Sequence, residues 1–171
     1  LNLSAGEIYK ADAPGTAVSD AIVSLGFYCT GSIISDKGLL ITNHHCAYSD
    51  VFALSTPEHN YLEEGYWALK EDQELPIPDK QVFFLKRVLD VTSEVTDRKT
   101  ALREELRCKK QPCGMRRISF IMEKKYKKDT GKEAYLSSMW AGEKYYMALY
   151  DVYEDLRLVA APPVSVAAFG G

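Results

Sequence analysis

The stretch from Cys29 to Cys46 constrains the fold more than any other part of this 171-residue chain. Ser32-Ile33-Ile34 and Leu39-Leu40-Ile41-Thr42 read as strands, and Ser35-Asp36-Lys37-Gly38 between them reads as a hairpin loop in which Gly38 can take positive φ. Doubling the chain back in this way draws Cys29 and Cys46 together, so a bridge between them is sterically reasonable. Cys108 and Cys113 complete an even set. Four cysteines allow three pairings, and the count does not choose among them.

Strand character also precedes the hairpin, in Ile22-Val23 and Phe27-Tyr28-Cys29. After it, Asn43-His44-His45-Cys46-Ala47-Tyr48 abruptly replaces the apolar pattern with polar residues, and His44 and His45 are expected at a strand end, pointing opposite ways. Thr56 is expected to cap a short helix opened by Pro57. Leu75-Pro76-Ile77-Pro78-Asp79 reads as an extended linker and Val82-Phe83-Phe84-Leu85 as a buried strand. Apolar spacing predicts one helix over 92–107, with Val95, Leu102 and Leu106 near one face. A second is predicted over 115–128, with Ile118, Ile121, Met122 and Tyr126 in register. Strands return at 134–140 and 145–150, joined at Ala141-Gly142, and again at 156–159. The fold class is α+β, mainly β with a helical insertion. It divides into a β portion at 1–96, a basic helical excursion at 97–131 and returning strands at 132–171.

Charge excludes little by itself. The 21 basic and 24 acidic residues leave a net −3, which gives no general attraction to nucleic acid or to an anionic membrane. The balance conceals a block at 97–128 with a net +8. No aromatic stacking pattern interleaves its cations, since Phe120 and Tyr126 sit at spacings that suit a core stripe, so it reads as solvated helix faces and no nucleic-acid partner is expected. No apolar run approaches the ~20 residues that a membrane span needs. Leu1-Asn2-Leu3-Ser4-Ala5-Gly6 has neither the basic start nor the apolar centre of a signal peptide, and Phe169-Gly170-Gly171 reads as a cut end.

A general base must be held within about 3 Å of the group it deprotonates. A histidine beside a bridged cysteine at a strand end is held in that way. The order Cys29, hairpin, apolar strand, Thr42, two residues, His45, Cys46 resembles the presentation of the catalytic histidine in chymotrypsin-like serine peptidases, which makes His45 the expected base. His44 is read as structural and His59 as a loop-ordering residue. None of the twelve serines lies in a Gly-x-Ser-x-Gly or Gly-Asn-Ser-Gly turn, and Asp50, Asp90 and Asp151 have no triad-like setting. His44, His45, Cys46, Glu58, His59, Cys108 and Cys113 could ligate zinc. The Cys108–Cys113 spacing lacks a matching second pair, so neither a metal nor another cofactor is expected.

The blocks Gly26 to Gly31, Thr42 to Tyr48, Ser55 to Leu62, Gly65-Tyr66-Trp67-Ala68, Glu74-Leu75-Pro76, Asp90-Val91-Thr92, Asp155 to Pro163 and Phe169-Gly170-Gly171 together resemble the dipeptidyl-peptidase 7/11 family. Tyr28 departs from it, since the family tends to have glycine there, and 97–135 does not align well. The resemblance implies the N-terminal β-barrel portion of a chymotrypsin-like double β-barrel. It also implies a periplasmic, homodimeric serine exopeptidase that releases dipeptides from peptides with a free N-terminus. His45 is the one catalytic residue it transfers, the aspartate and serine being expected beyond Gly171, so the 171 residues alone are expected to be inactive. A Cys29–Cys46 bridge fits the oxidising compartment. A Cys108–Cys113 bridge is expected from spacing alone. A non-catalytic β-barrel binding module and, less favoured, a zinc-binding domain are the competing readings.

Overall fold

The computed structural model describes residues 2–9, 17–106 and 114–167. In chain order the helices are α1 (Ala5–Ile8), α2 (His44–Leu54), α3 (Tyr61–Glu64), α4 (Thr92–Leu106), α5 (Met115–Thr130) and α6 (Val164–Ala167). The strands are β1 (Ile22–Leu25), β2 (Cys29–Ile33), β3 (Leu40–Thr42), β4 (Tyr66–Trp67), β5 (Leu75–Ile77), β6 (Val82–Asp90), β7 (Glu133–Met139), β8 (Lys144–Tyr153), β9 (Leu156–Leu158) and β10 (Ala160–Ala161). The chain forms two units, one of 18–84 with 153–171 and one of 1–17 with 85–152, and passes from one to the other within β6.

In the first unit the strand order is β3-β2-β1-β6, antiparallel throughout. The β2–β3 connection is the expected hairpin. Gly38 takes φ 80°, its N–H bonds to the Ser35 carbonyl, and the Leu39 N–H bonds to the Ser35 hydroxyl. Val23, Leu25 and Val82 form one apolar cluster of this unit. Val51, Leu62, Leu158 and Ala161 form another, which seats α2 and α3 against β9 and β10. Leu75-Pro76-Ile77, expected as a linker, is instead β5, paired with β9. Pro76 faces outward there, as a proline at a strand edge can. The helix expected at Pro57 starts at Tyr61, because the Asn60 side chain accepts the Leu62 N–H and caps it, while Thr56 closes the preceding turn with His59.

In the second unit the order is β6-β8-β7, with α4 and α5 laid on the sheet. Val95, Leu102, Ile118 and Met122 pack on Ala134, Tyr145, Met147 and Leu149, following the predicted helix stripes. Ile121 departs from that expectation: it is exposed, the buried stripe passing through Met122 at the next position. The side chain of Leu106 lies outside the described residues. Four cations of the basic block have partners within the protein. Arg98 and Lys125 meet Glu94, Lys127 meets Glu133, and Lys99 reaches the Tyr145 hydroxyl.

Candidate active site

β2 and β3 pair with Gly31 opposite Thr42, and the Thr42 hydroxyl donates to the Thr30 carbonyl at 2.7 Å. That bond fixes the last residue of β3. Asn43 is extended (φ −72°, ψ 147°), and its carbonyl accepts the Cys46 N–H at 3.0 Å. The turn so formed opens α2, so that His44 and His45, expected at the end of a strand, are instead the first two residues of a helix. They therefore stand about 100° apart around one axis rather than on opposite faces. The sequence disguised this, because α2 buries only Cys46 and Val51 and carries no acidic residue in its first turn.

The disulfide between Cys29 and Cys46 is present, with Cα atoms 6.0 Å apart. It ties the third residue of α2 to the first residue of β2. His45 is exposed, and a ring nitrogen lies within 4.8 Å of both sulfurs. His44 is half-buried and edge-on to Tyr48 (6.1 Å), with Nε2 buried and without a hydrogen-bond partner. His59 stacks flat on Tyr61 and lies 3.5 Å from Glu64, in a loop as expected. Cys29, His45 and Cys46 are close enough to suggest a metal site, but each sulfur is bonded to the other, so neither can act as a thiolate ligand. The expected Cys108–Cys113 bridge lies outside the described residues.

Each of the three aspartates considered from sequence already has partners. Asp50 pairs with Lys80, Asp151 with Lys132 and Lys86, and Asp90 with Thr92 and Lys144. Lys80 escaped the sequence reading. It follows Asp79, which takes left-handed φ 56° after the two prolines of β5 and its turn, and no motif marks it. Burial acts to lower its pKa, yet hydrogen bonds to Asp50 and Tyr28 raise it overall, keeping the ammonium charged.

A family model described as Peptidase S46 matches residues 1–171. The chain is 39% identical over 180 residues to the Asp/Glu-specific dipeptidyl-peptidase of Porphyromonas gingivalis, covering 99% of this chain and 24% of that protein. It is 39% identical over 174 residues to dipeptidyl-peptidase 7 of Capnocytophaga gingivalis, covering 100% of this chain and 23% of that protein. The crystal structure of Porphyromonas endodontalis DPP11 in complex with substrate superposes with TM-score 0.79 at 34% identity, over 97% of this chain and 24% of that one. The antiparallel sheet with its helices thus matches a portion of a known peptidase and agrees with part of a chymotrypsin-like barrel. The chain spans about a quarter of the length of the relatives it matches. With the family model matched from the first residue to the last, this chain belongs to the peptidase S46 family.

Proposed function

We propose that these residues are the part of a serine-type dipeptidyl peptidase that carries its general base, His45. One observation carries the reading: His45 is an exposed imidazole on the first turn of a helix whose next residue is bonded to the sheet. A base must be both reachable and fixed, and His45 has both properties. The relatives named dipeptidyl-peptidases support the reaction class.

In this reading the imidazole of His45 accepts the proton of a serine hydroxyl as that oxygen attacks the scissile carbonyl, and returns it to the departing amine. The serine, and the aspartate that orients the ring, are assigned to the remaining length of the protein. The engagement of Asp50, Asp90 and Asp151 with cations and the fourfold greater length of the relatives support that assignment. The substrates are peptides with a free N-terminus, and the compartment is the oxidising periplasm, where the Cys29–Cys46 bridge persists.

The test is His45→Ala in the full-length protein. Release of dipeptides should fall by about 10⁴-fold with circular dichroism unchanged. Turnover at the wild-type rate by a folded His45→Ala protein overturns the assignment.

A further inference from the structure

We infer that Lys80 is a positioning residue for the reaction, holding the turn of α2 that directly follows His45 from its carbonyl and carboxylate side, as the disulfide holds it from its sulfur side. The inference rests on His45 being the general base. Lys80 sits in the turn between β5 and β6, and its side chain is 11% exposed although it carries a full charge. A lysine is seldom buried to that degree unless its ammonium is paired. Here the ammonium bonds to the Asp50 carboxylate, lies 3.4 Å from the Cys46 carbonyl oxygen, and sits 5.3 Å from the centroid of the Tyr28 ring.

The two groups on α2 are the relevant ones. Cys46 and Asp50 are four residues apart, so one ammonium spans a single helical turn, and that turn begins at the residue after His45. An ammonium has three donors and no acceptor, which matches a carbonyl and a carboxylate at once, with the Tyr28 ring beside them. Cys46 is thereby gripped twice, through sulfur to β2 and through its carbonyl to the turn before β6. The anchor on the far side is itself fixed. Asp79 turns the backbone at φ 56°, and the neighbouring Gln81 amide donates to Glu154 at 2.8 Å. Loss of the lysine would leave α2 able to pivot about the disulfide. A displacement near 1 Å of a catalytic group costs on the order of 10²-fold in rate, so a partial loss of this restraint should register in turnover.

The experiment uses the full-length enzyme with Lys80→Met, Lys80→Arg and His45→Ala measured side by side. Lys80→Met is expected to lower kcat about tenfold while KM stays within about twofold, because orientation of the base is lost and substrate contacts are not. Lys80→Arg, which keeps the charge and the donors, is expected to recover most of that loss. A residue needed only for stability would lower the melting temperature and leave kcat per folded enzyme intact, and that result overturns the inference. So does an Arg variant no better than Met. Should Lys80→Met not fold, Asp50→Asn serves in its place, with the same kcat loss expected and an unchanged kcat overturning the inference. His45→Ala separates the two readings: if it retains turnover, the assignment of the base fails. If it is dead while the Lys80 and Asp50 variants keep full kcat, only the positioning role fails.

Discussion

The sulfur of Cys46 is bonded to that of Cys29, so the residue beside His45 is covalently joined to the opening residue of β2. A bridge closing a loop of this length stabilises a domain by about 3 kcal/mol, chiefly by restricting the unfolded chain. The double substitution Cys29→Ala/Cys46→Ala should lower unfolding free energy by roughly that amount in urea titration. Retention of wild-type stability would mean that the hairpin and the Thr42–Thr30 bond already fix this region.

Val51, on the inner face of α2, is fully buried among Leu62, Leu158 and Ala161. Truncating it removes two methyl groups and leaves a cavity, a cost of about 2 kcal/mol. Val51→Ala should show that loss in the denaturation midpoint. Because the same side chain seats the helix bearing His45, dipeptide release by the full-length protein should also fall if His45 is the base, as proposed.

Gly65 ends α3 at φ 77° and ψ 170°, a region that is essentially glycine-only. A Cβ there would also stand 2.9 Å from Pro163 Cδ and 3.0 Å from the Ala161 carbonyl oxygen, neither of which can swing away. Gly65→Ala should destabilise by about 2 kcal/mol or more, read by thermal unfolding. A neutral result would show that this corner of the first unit is looser than its packing.

Asp90 has its pKa lowered to about 2, first by the Thr92 side chain and backbone and then by Lys144. A carboxylate whose folded pKa is depressed adds stability above its unfolded value, and that contribution disappears as pH falls through the folded value. Comparison of the wild type with Asp90→Asn should therefore show a constant gap at neutral pH. The gap should close between the ordinary value of 3.8 and about 2, and a gap that widened on acidification would contradict the assignment.

Much of this was legible from residue order, for reasons that differ by element. The β2–β3 hairpin was legible because Gly38 and the flanking aliphatics force it. The α4 and α5 stripes were legible because Val95, Leu102, Ile118 and Met122 repeat at helical spacing against a sheet. The start of α2 was not, because a helix with two buried residues leaves almost no periodic trace, and His44 and His45 look the same at a strand end as on a first turn. β5 was hidden by its own proline, whose missing N–H matters only on a strand that has a neighbour on that side. His45, the proposed base, is therefore singled out by its neighbours in sequence, whereas Lys80 and Asp50, brought together by a turn thirty residues downstream, meet only in three dimensions.

The disulfide closes a loop whose ends lie only 17 positions apart along the chain. Bringing such ends together is a local search, completed in well under a microsecond for loops of about this size. The two sulfurs of this ring can thus meet without β6, β8 or any later strand in place. Closure of the ring beside the imidazole requires contacts from this short stretch alone, independent of the strands that follow it.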